Sequence, residues 1–338
     1  MTMPANAELI SDELSEGAPS EGRDAELVGR SPGQLAWIRF KRDKAALFCT
    51  GIVLLYFLVA ACAPLIAHLY GQDATTTYGL NDPTLLDDSG VPIGPLGGVS
   101  ATHWLGLEPS LGRDLFMQLI YGMRTTLLIA FAATIFSTVI GVLLGLAQGF
   151  MGGWVDYVFG RISDLLMAFP QQLFLIAFTP VFIALLVAPG NAVSPLMRGT
   201  VLVLVQVILG WMGLGRLLRG MTLSLREREF IEAARVAGAS PWRIIWKEIF
   251  PNLRTTMLVQ TTLAFSGFVT TEAGLSFLGV GMIEPTPDWG RLFQDAAPYF
   301  QNDTFFLVVC GVSLMIFTVA FNLLGDSARD ALDPKTVR

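Results

Sequence analysis

Few side chains in this sequence are placed to do covalent or proton chemistry, and their spacing argues against most reactions. Glu272 is the one carboxylate well inside an apolar run, a position where an ionisable group is a functional candidate by default. It lies eighteen residues beyond Arg254, a rise of about 27 Å at ~1.5 Å per residue, so it stands close to the far membrane surface. Two roles compete for it: bonding a neighbouring helix near an outer gate, and direct contact with a transported solute. Ser313, in Gly311-Val-Ser-Leu, superficially resembles an intramembrane serine nucleophile. No histidine lies at its depth to activate it, since His68 ends the first apolar run. His68 and His103 are the only histidines, with no ligand-like spacing to each other or to a cysteine. Cys49, Cys62 and Cys310 all fall in apolar runs, which marks them as buried thiols. No metal site and no cofactor in this chain are expected. The chain also lacks a Gly-x-x-x-x-Gly-Lys-[Ser/Thr] loop, so it has no visible means of holding ATP phosphates.

The most informative stretch is Arg226 to Pro251, a long charged segment lying between two apolar runs. Ala, Glu and Arg dominate up to Ala237, which favours helix. Gly238 supplies a C-terminal stop, and Ser240-Pro241 reads as an N-cap followed by proline at the first position of a second helix. The segment therefore predicts a rigid helix–turn–helix projecting from a membrane, where a plain connection would need only a few residues. The alanines let a partner approach closely, Glu232 offers an anionic handle, and Gly238 allows a turn where a side chain would clash.

The elements that must hold these residues follow from composition. The chain has 338 residues, 53% apolar and 15% charged, unlike an average soluble domain. Runs near 20 apolar residues recur, enough to cross a ~30 Å hydrocarbon core. Six spans are expected, at about 45–67, 125–150, 161–187, 200–218, 254–280 and 304–324. Gly141, Gly145 and Gly149 recur every four residues in the second, a stripe for close helix packing. The third contains Pro170, and the fifth is unusually polar. Gln260, Ser266 and Thr270 are its candidates for lining a pore, and helix packing alone accounts for such polarity equally well. Asp164 and Arg216 read as snorkelling or a helix-end ion pair.

With six spans both termini share a side. That side carries eighteen of the 22 Lys and Arg residues, so the positive-inside rule makes it cytoplasmic. The expected organisation is a disordered acidic cytoplasmic tail (1–38), a first transmembrane helix (39–70), and an external loop with an interfacial helix (71–121). A core of five helices (122–326) follows, with a loop at 221–252, and then a cytoplasmic C-terminal tail (327–338). The net charge of −6 comes largely from the N-terminal tail and first loop, and gives no reason to expect a nucleic-acid partner.

Glu232-Ala-Ala, then Gly238 and Ile249-Phe-Pro251, resembles the cytoplasmic coupling motif of ABC importer permeases. His103-Trp-Leu-Gly106, Gly112-Arg-Asp114, Gly152-Gly-Trp-Val-Asp156, Glu272-Ala-Gly-Leu-Ser-Phe-Leu-Gly279 and Pro285-Thr-Pro-Asp-Trp-Gly290 extend the resemblance. With Leu225–Phe230 and Phe321–Asp326 they cover roughly residues 40 to 335 and are similar to the C-type subunit of the dipeptide, oligopeptide and nickel branch. Two departures stand out: the family's Leu-Gly-Thr-Asp is here Leu105-Gly106-Leu107-Glu108, and its Ile-Leu-Pro is Ile249-Phe250-Pro251. The resemblance implies an all-α type I ABC importer (MetI-like) permease fold in a bacterial cytoplasmic membrane, with no catalytic residues of its own. It implies a B-type permease subunit as heterodimer partner, two ATPases carrying ATP and Mg, and an external solute-binding protein. Coupling would fall on Glu232, Ala233, Ala234, Ala237, Gly238, Ala239 and Ser240; the candidates for pore lining or gate, read from the polar residues of the fifth span, are Gln260, Ser266, Thr270 and Glu272. Peptides are the expected cargo, with nickel or another small solute as the alternative. An ion-coupled secondary transporter would want an internal repeat or a midplane charge, and neither is visible.

Overall fold

The computed structural model describes residues 32–188 and 190–332. Every regular element among them is helical, with only isolated backbone bridges between residues 77 and 114. The order is α1 (Pro32–Arg42), α2 (Lys44–Ala61), α3 (Ala63–Tyr70), α4 (Tyr78–Asn81), α5 (Leu115–Met151), α6 (Gly153–Met167) and α7 (Gln171–Leu186). It continues with α8 (Pro195–Leu225), α9 (Glu229–Val236), α10 (Pro241–Ile244), a π-turn at Ile245–Ile249, α11 (Phe250–Phe277), α12 (Trp289–Ala296) and α13 (Thr304–Leu332).

Helices α5 and α8 form the spine, and the glycine stripe is what joins them. A Cβ on Gly145 would fall 2.6 Å from the Gly215 carbonyl oxygen, and one on Gly149 would fall 2.8 Å from that of Arg219. Only glycine lets these backbones meet. A second layer packs α11 on α5 and α13 on α11, around Phe265, Phe268, Trp289, Phe306 and Phe317, and α2 lies against α13.

Several expected boundaries are corrected. Four helices (α2, α5, α8, α13) are long and apolar enough to span, with α6 and α7 together making a fifth if counted as one. The expected third span is instead two helices bent by 95°. Pro170 has no N–H to continue the first of them and caps the second. Helix α11 has 28 residues, about 42 Å, but its Gln, Thr, Ser and Glu residues keep it below the apolarity of the other spans. The separate interfacial helix expected within 71–121 does not exist: Asp114 caps one continuous helix of 37 residues. The first span is divided at Cys62, where Pro64 starts α3, and residues 32–38, expected in a disordered tail, join 39–42 in a separate helix, α1. Helix α13 runs through the expected start of the C-terminal tail at 327 to Leu332. The remainder of both tails, 1–31 and 333–338, lies outside the described residues.

Candidate coupling loop, cleft and external cap

Three groups of residues carry the sequence motifs, and α11 connects them. At its N-terminal end lies the projection between α8 and α11. Its inner side is apolar: Ile231, Ile244, Ile245 and Ile249 are buried against Leu146 and Leu218. Its outer side is open: Glu232, Ala233, Ala237, Gly238 and Ser240 are exposed, Ala234 and Ala239 half-buried, and Val236 is 84% exposed. The turn is closed by its own backbone. Gly238 donates to the Arg235 carbonyl and Ala239 donates to that of Ala234, with Gly238 at φ +79°, the Schellman arrangement that ends a helix. Ser240 Oγ accepts the Arg243 N–H at 3.4 Å, as its N-cap position predicts. The reason for glycine differs from the expected one. A Cβ at Gly238 meets nothing within 4 Å, so the left-handed φ, and no clash within this chain, is what demands it. The π-turn then widens the helix just before Pro251, whose missing N–H it accommodates.

The middle of α11 faces an open cleft of about 500 Å³ lined by Gln171, Gly210, Gly213, Gly267, Phe268 and Thr271, among others. A smaller cavity of about 200 Å³ adjoins it, with Ser137, Thr138, Gln260 and Thr261 in its wall. On α11 the lining positions 260, 264, 267 and 271 share one helical face. This redraws the candidate pore list. Gln260 is on the lining. Thr270 is exposed, but its hydroxyl donates back to the Ser266 carbonyl and it does not line either cavity. Ser266 and Glu272 are buried in the protein and line neither. Gln171, Gly267 and Thr271 take their place, and the 95° bend brings Gln171 in.

Glu272 instead locks the C-terminal end of α11. Ser276 Oγ donates to its Oε1 at 3.2 Å and accepts the Met282 N–H at 3.2 Å, while Gly279, at φ +80°, repeats the left-handed stop seen at Gly238. Gly290 sits directly on this end: a Cβ there would fall 2.0 Å from the Ala273 carbonyl oxygen. These bonds lie within α11 and its own C-terminal turn, so they hold that end of the helix without tying Glu272 to a neighbouring helix.

Around that end is a cap built from distant segments. Asp114 Oδ1 caps α5 through the Met117 N–H, and its Oδ2 meets His103 Nδ1 at 2.7 Å and accepts from the Tyr70 hydroxyl at 3.1 Å. Arg113, 3% exposed, pairs with Glu108 at 2.5 Å and reaches Glu284 at 3.4 Å. Arg291 binds the same Glu284 carboxylate at 2.7 Å and Asp295 at 3.4 Å. Burial pushes the Glu108 carboxyl up to about 7 against the opposing pull of Arg113, and pushes Asp288 up to about 6. Glu108, the residue that departs from the family's pattern, is thus a working member of the network.

Two further pairs tie α6 to α8. Arg216 meets Asp164 at 2.8 Å, the helix-end ion pair that the sequence suggests, and Arg219 binds both carboxylate oxygens of Asp156. The second pair gives the Gly152–Asp156 motif its partner. The partners of two motif residues lie far off in sequence, Arg219 for Asp156 and Glu284 for Arg113, whereas Asp288 caps its own helix through the Arg291 N–H. Among the described residues no group of three or more His, Cys, Asp or Glu side chains is placed to hold a metal.

Comparison with known proteins agrees with this architecture. Residues 138–338 match the family described as binding-protein-dependent transport system inner membrane component, and residues 31–83 match the N-terminal TM domain of oligopeptide transport permease C. A dipeptide transport system permease protein DppC of Alkalihalophilus pseudofirmus is 34% identical over 90% of this chain and 90% of its own length. An oligopeptide transport system permease protein OppC of Bacillus subtilis is 31% identical over 96% and 98%. A di/tripeptide permease DppC of Pseudomonas aeruginosa is 32% identical over 92% and 95%. In fold, the chain is similar to an inward-facing MetNI methionine ABC transporter, with a TM-score of 0.51 at 19% identity over 65% of this chain and 98% of that one.

Proposed function

The chain belongs to the binding-protein-dependent transport inner membrane component family, in its dipeptide and oligopeptide permease C branch, and we propose that it carries dipeptides and oligopeptides inward. It is a multi-pass membrane permease subunit of an ABC importer and not an enzyme. In the proposed assembly it pairs with a B-type permease subunit, and two ATPases holding ATP and Mg dock on the cytoplasmic side. An external solute-binding protein delivers cargo. Both termini and the 226–251 projection face the cytoplasm, following the Lys and Arg distribution.

The observation that carries this reading is the two-sided projection: an exposed face of small residues from Glu232 to Ser240 held on a buried isoleucine floor. A surface that must transmit force has to be both accessible and rigidly seated. ATPase closure would push α9, and the continuous path through α10 and the π-turn would move α11, whose middle lines the cleft. A population shift between inward- and outward-open states follows. The cleft and the cavity beside it offer peptide amides hydrogen-bonding partners in Gln171, Thr271 and Gln260, and among the described residues no charged side chain lines either. Such a wall suits varied peptides, and support for peptide cargo comes from the names of the relatives.

The test uses the four-subunit complex in vesicles, following ATP hydrolysis and peptide uptake together. Gly238→Trp and Glu232→Lys are expected to leave the chain inserted and hydrolysis running while uptake falls at least tenfold. Uptake that continues unchanged without ATP sinks the proposal.

A further inference from the structure

The segment just before the first span has no part in the coupling or cleft described above. Helix α1 has 11 residues and packs on α13 through buried Ala36. Its other side carries Trp37, 57% exposed, stacked on Phe40 with ring centroids 6.0 Å apart, while Lys41 Nζ stands 5.0 Å over the Trp37 ring. Four cations, Arg39, Lys41, Arg42 and Lys44, lie within six residues, and Lys41, Arg42 and Lys44 are exposed.

The single acid in this stretch, Asp43, is turned away from them. Its Oδ1 accepts the Ala45 and Ala46 N–H groups that start α2, and its Oδ2 accepts the Ser327 hydroxyl at 2.9 Å. That junction also sets the height of α1. Asp43 immediately precedes the apolar α2, and Ser327 lies where α13 turns from its apolar run to Asp326, Arg329 and Asp330. Both therefore mark the edge of the hydrocarbon slab. The cations of α1 gather within about one turn of this edge, at the depth of phospholipid headgroups, and an exposed indole beside them matches the belt that tryptophan occupies at such boundaries.

We propose that α1 is a membrane-surface helix that binds anionic phospholipid headgroups through Lys41 and Arg42, joined by Lys44 at the start of α2, with Trp37 seated in the interface. An aromatic anchor and a basic cluster are the two signals that together hold a short helix to a charged bilayer. The contact would fix the angle at which α2 enters the membrane and, through Asp43 and Ser327, the end of α13.

The experiment places the full-length chain in nanodiscs containing brominated phosphatidylglycerol or brominated phosphatidylcholine at equal mole fraction. The fluorescence of Trp37 is obtained as the difference between the wild type and Trp37→Phe. Quenching by the anionic lipid is expected to exceed that by the zwitterionic lipid about twofold or more, with the excess shrinking at ~0.5 M salt. Combined Lys41→Gln, Arg42→Gln and Lys44→Gln should abolish it, and the charge-keeping Lys41→Arg, Arg42→Lys pair should not. Equal quenching by both lipids overturns headgroup binding, and absence of quenching by either removes α1 from the surface. An anionic preference that appears only after deletion of residues 1–30 also overturns the proposal, because the acid-rich segment of this chain would then be the occupant of the basic face.

Discussion

Helix α11 starts at the coupling loop and ends under the external cap, and the two ends are built on different principles. The coupling loop is local. Its turn is closed by hydrogen bonds between residues at most five apart, its floor is a cluster of isoleucines from one short stretch and its two supporting helices, and its working face is left bare. The cap is assembled from afar: Arg113 and Glu284 are 171 residues apart, and its arginines Arg113 and Arg291 are buried with Glu108, while Glu284, which joins them, stays exposed. A surface meant to meet a partner keeps its polar groups in water and draws stiffness from the chain beneath. A seal at the end of a helix bundle has to hold several chain segments together. It does so with ion pairs whose desolvation is offset only while every partner is present.

The largest expected effect comes from removing one partner of the cap. Arg113→Met leaves Glu108 buried and unpaired, which above about pH 7, where its carboxyl must ionise, costs about 3–5 kcal/mol and should lower the melting temperature of the purified full-length chain by several degrees. A shift below about 1 °C would show that charge does not hold the cap. At the other end of α11, Gly238→Ala should cost only about 1–2 kcal/mol, from the left-handed φ, while uptake by the complex falls. Gly238→Asn, which tolerates that conformation, should restore most of the uptake. Asparagine proving as damaging as tryptophan would mean that clearance for the partner, rather than backbone shape, sets the requirement.

A further effect is a pH dependence confined to the cap. Burial raises the folded-state carboxyl of Glu108 from its ordinary 4.5 to about 7. Its contribution to stability is therefore fully present below about pH 4.5 and lost as pH rises through about 7. The melting temperature of the wild type relative to Glu108→Gln should decline from pH 5 to pH 8, whereas Gly238 variants should show no such trend. A flat difference would remove Glu108 from the account.

Much of the coupling loop was legible because its rules are short-range. Gly238 as a stop, Ser240 as an N-cap and Pro241 after it follow from backbone chemistry that any sequence displays. The glycine stripe was legible for a similar reason: a four-residue period puts all three glycines on one face, whatever helix they meet. The interfacial helix was misread because amphipathic residues at 113–121 give no sign of whether the helix stops or runs on, and Asp114 capping a 37-residue helix settles that it runs on. The polar residues of α11 showed that the helix was unusual without showing which of them faced open space.

Taken alone, the sequence determined the all-helical membrane character, the glycine contacts, the shape of the coupling turn and the family, all of which depend on composition, period or neighbouring residues. Tertiary structure decided that Gln260 lines the cavity beside the cleft while Ser266 and Glu272 line neither, that Gln171 joins Thr271 in the cleft wall, and that Glu108 works with Arg113. Those outcomes rest on how helices rotate and where distant loops land. A side chain's period along its own helix cannot specify which of its faces the rest of the chain will cover.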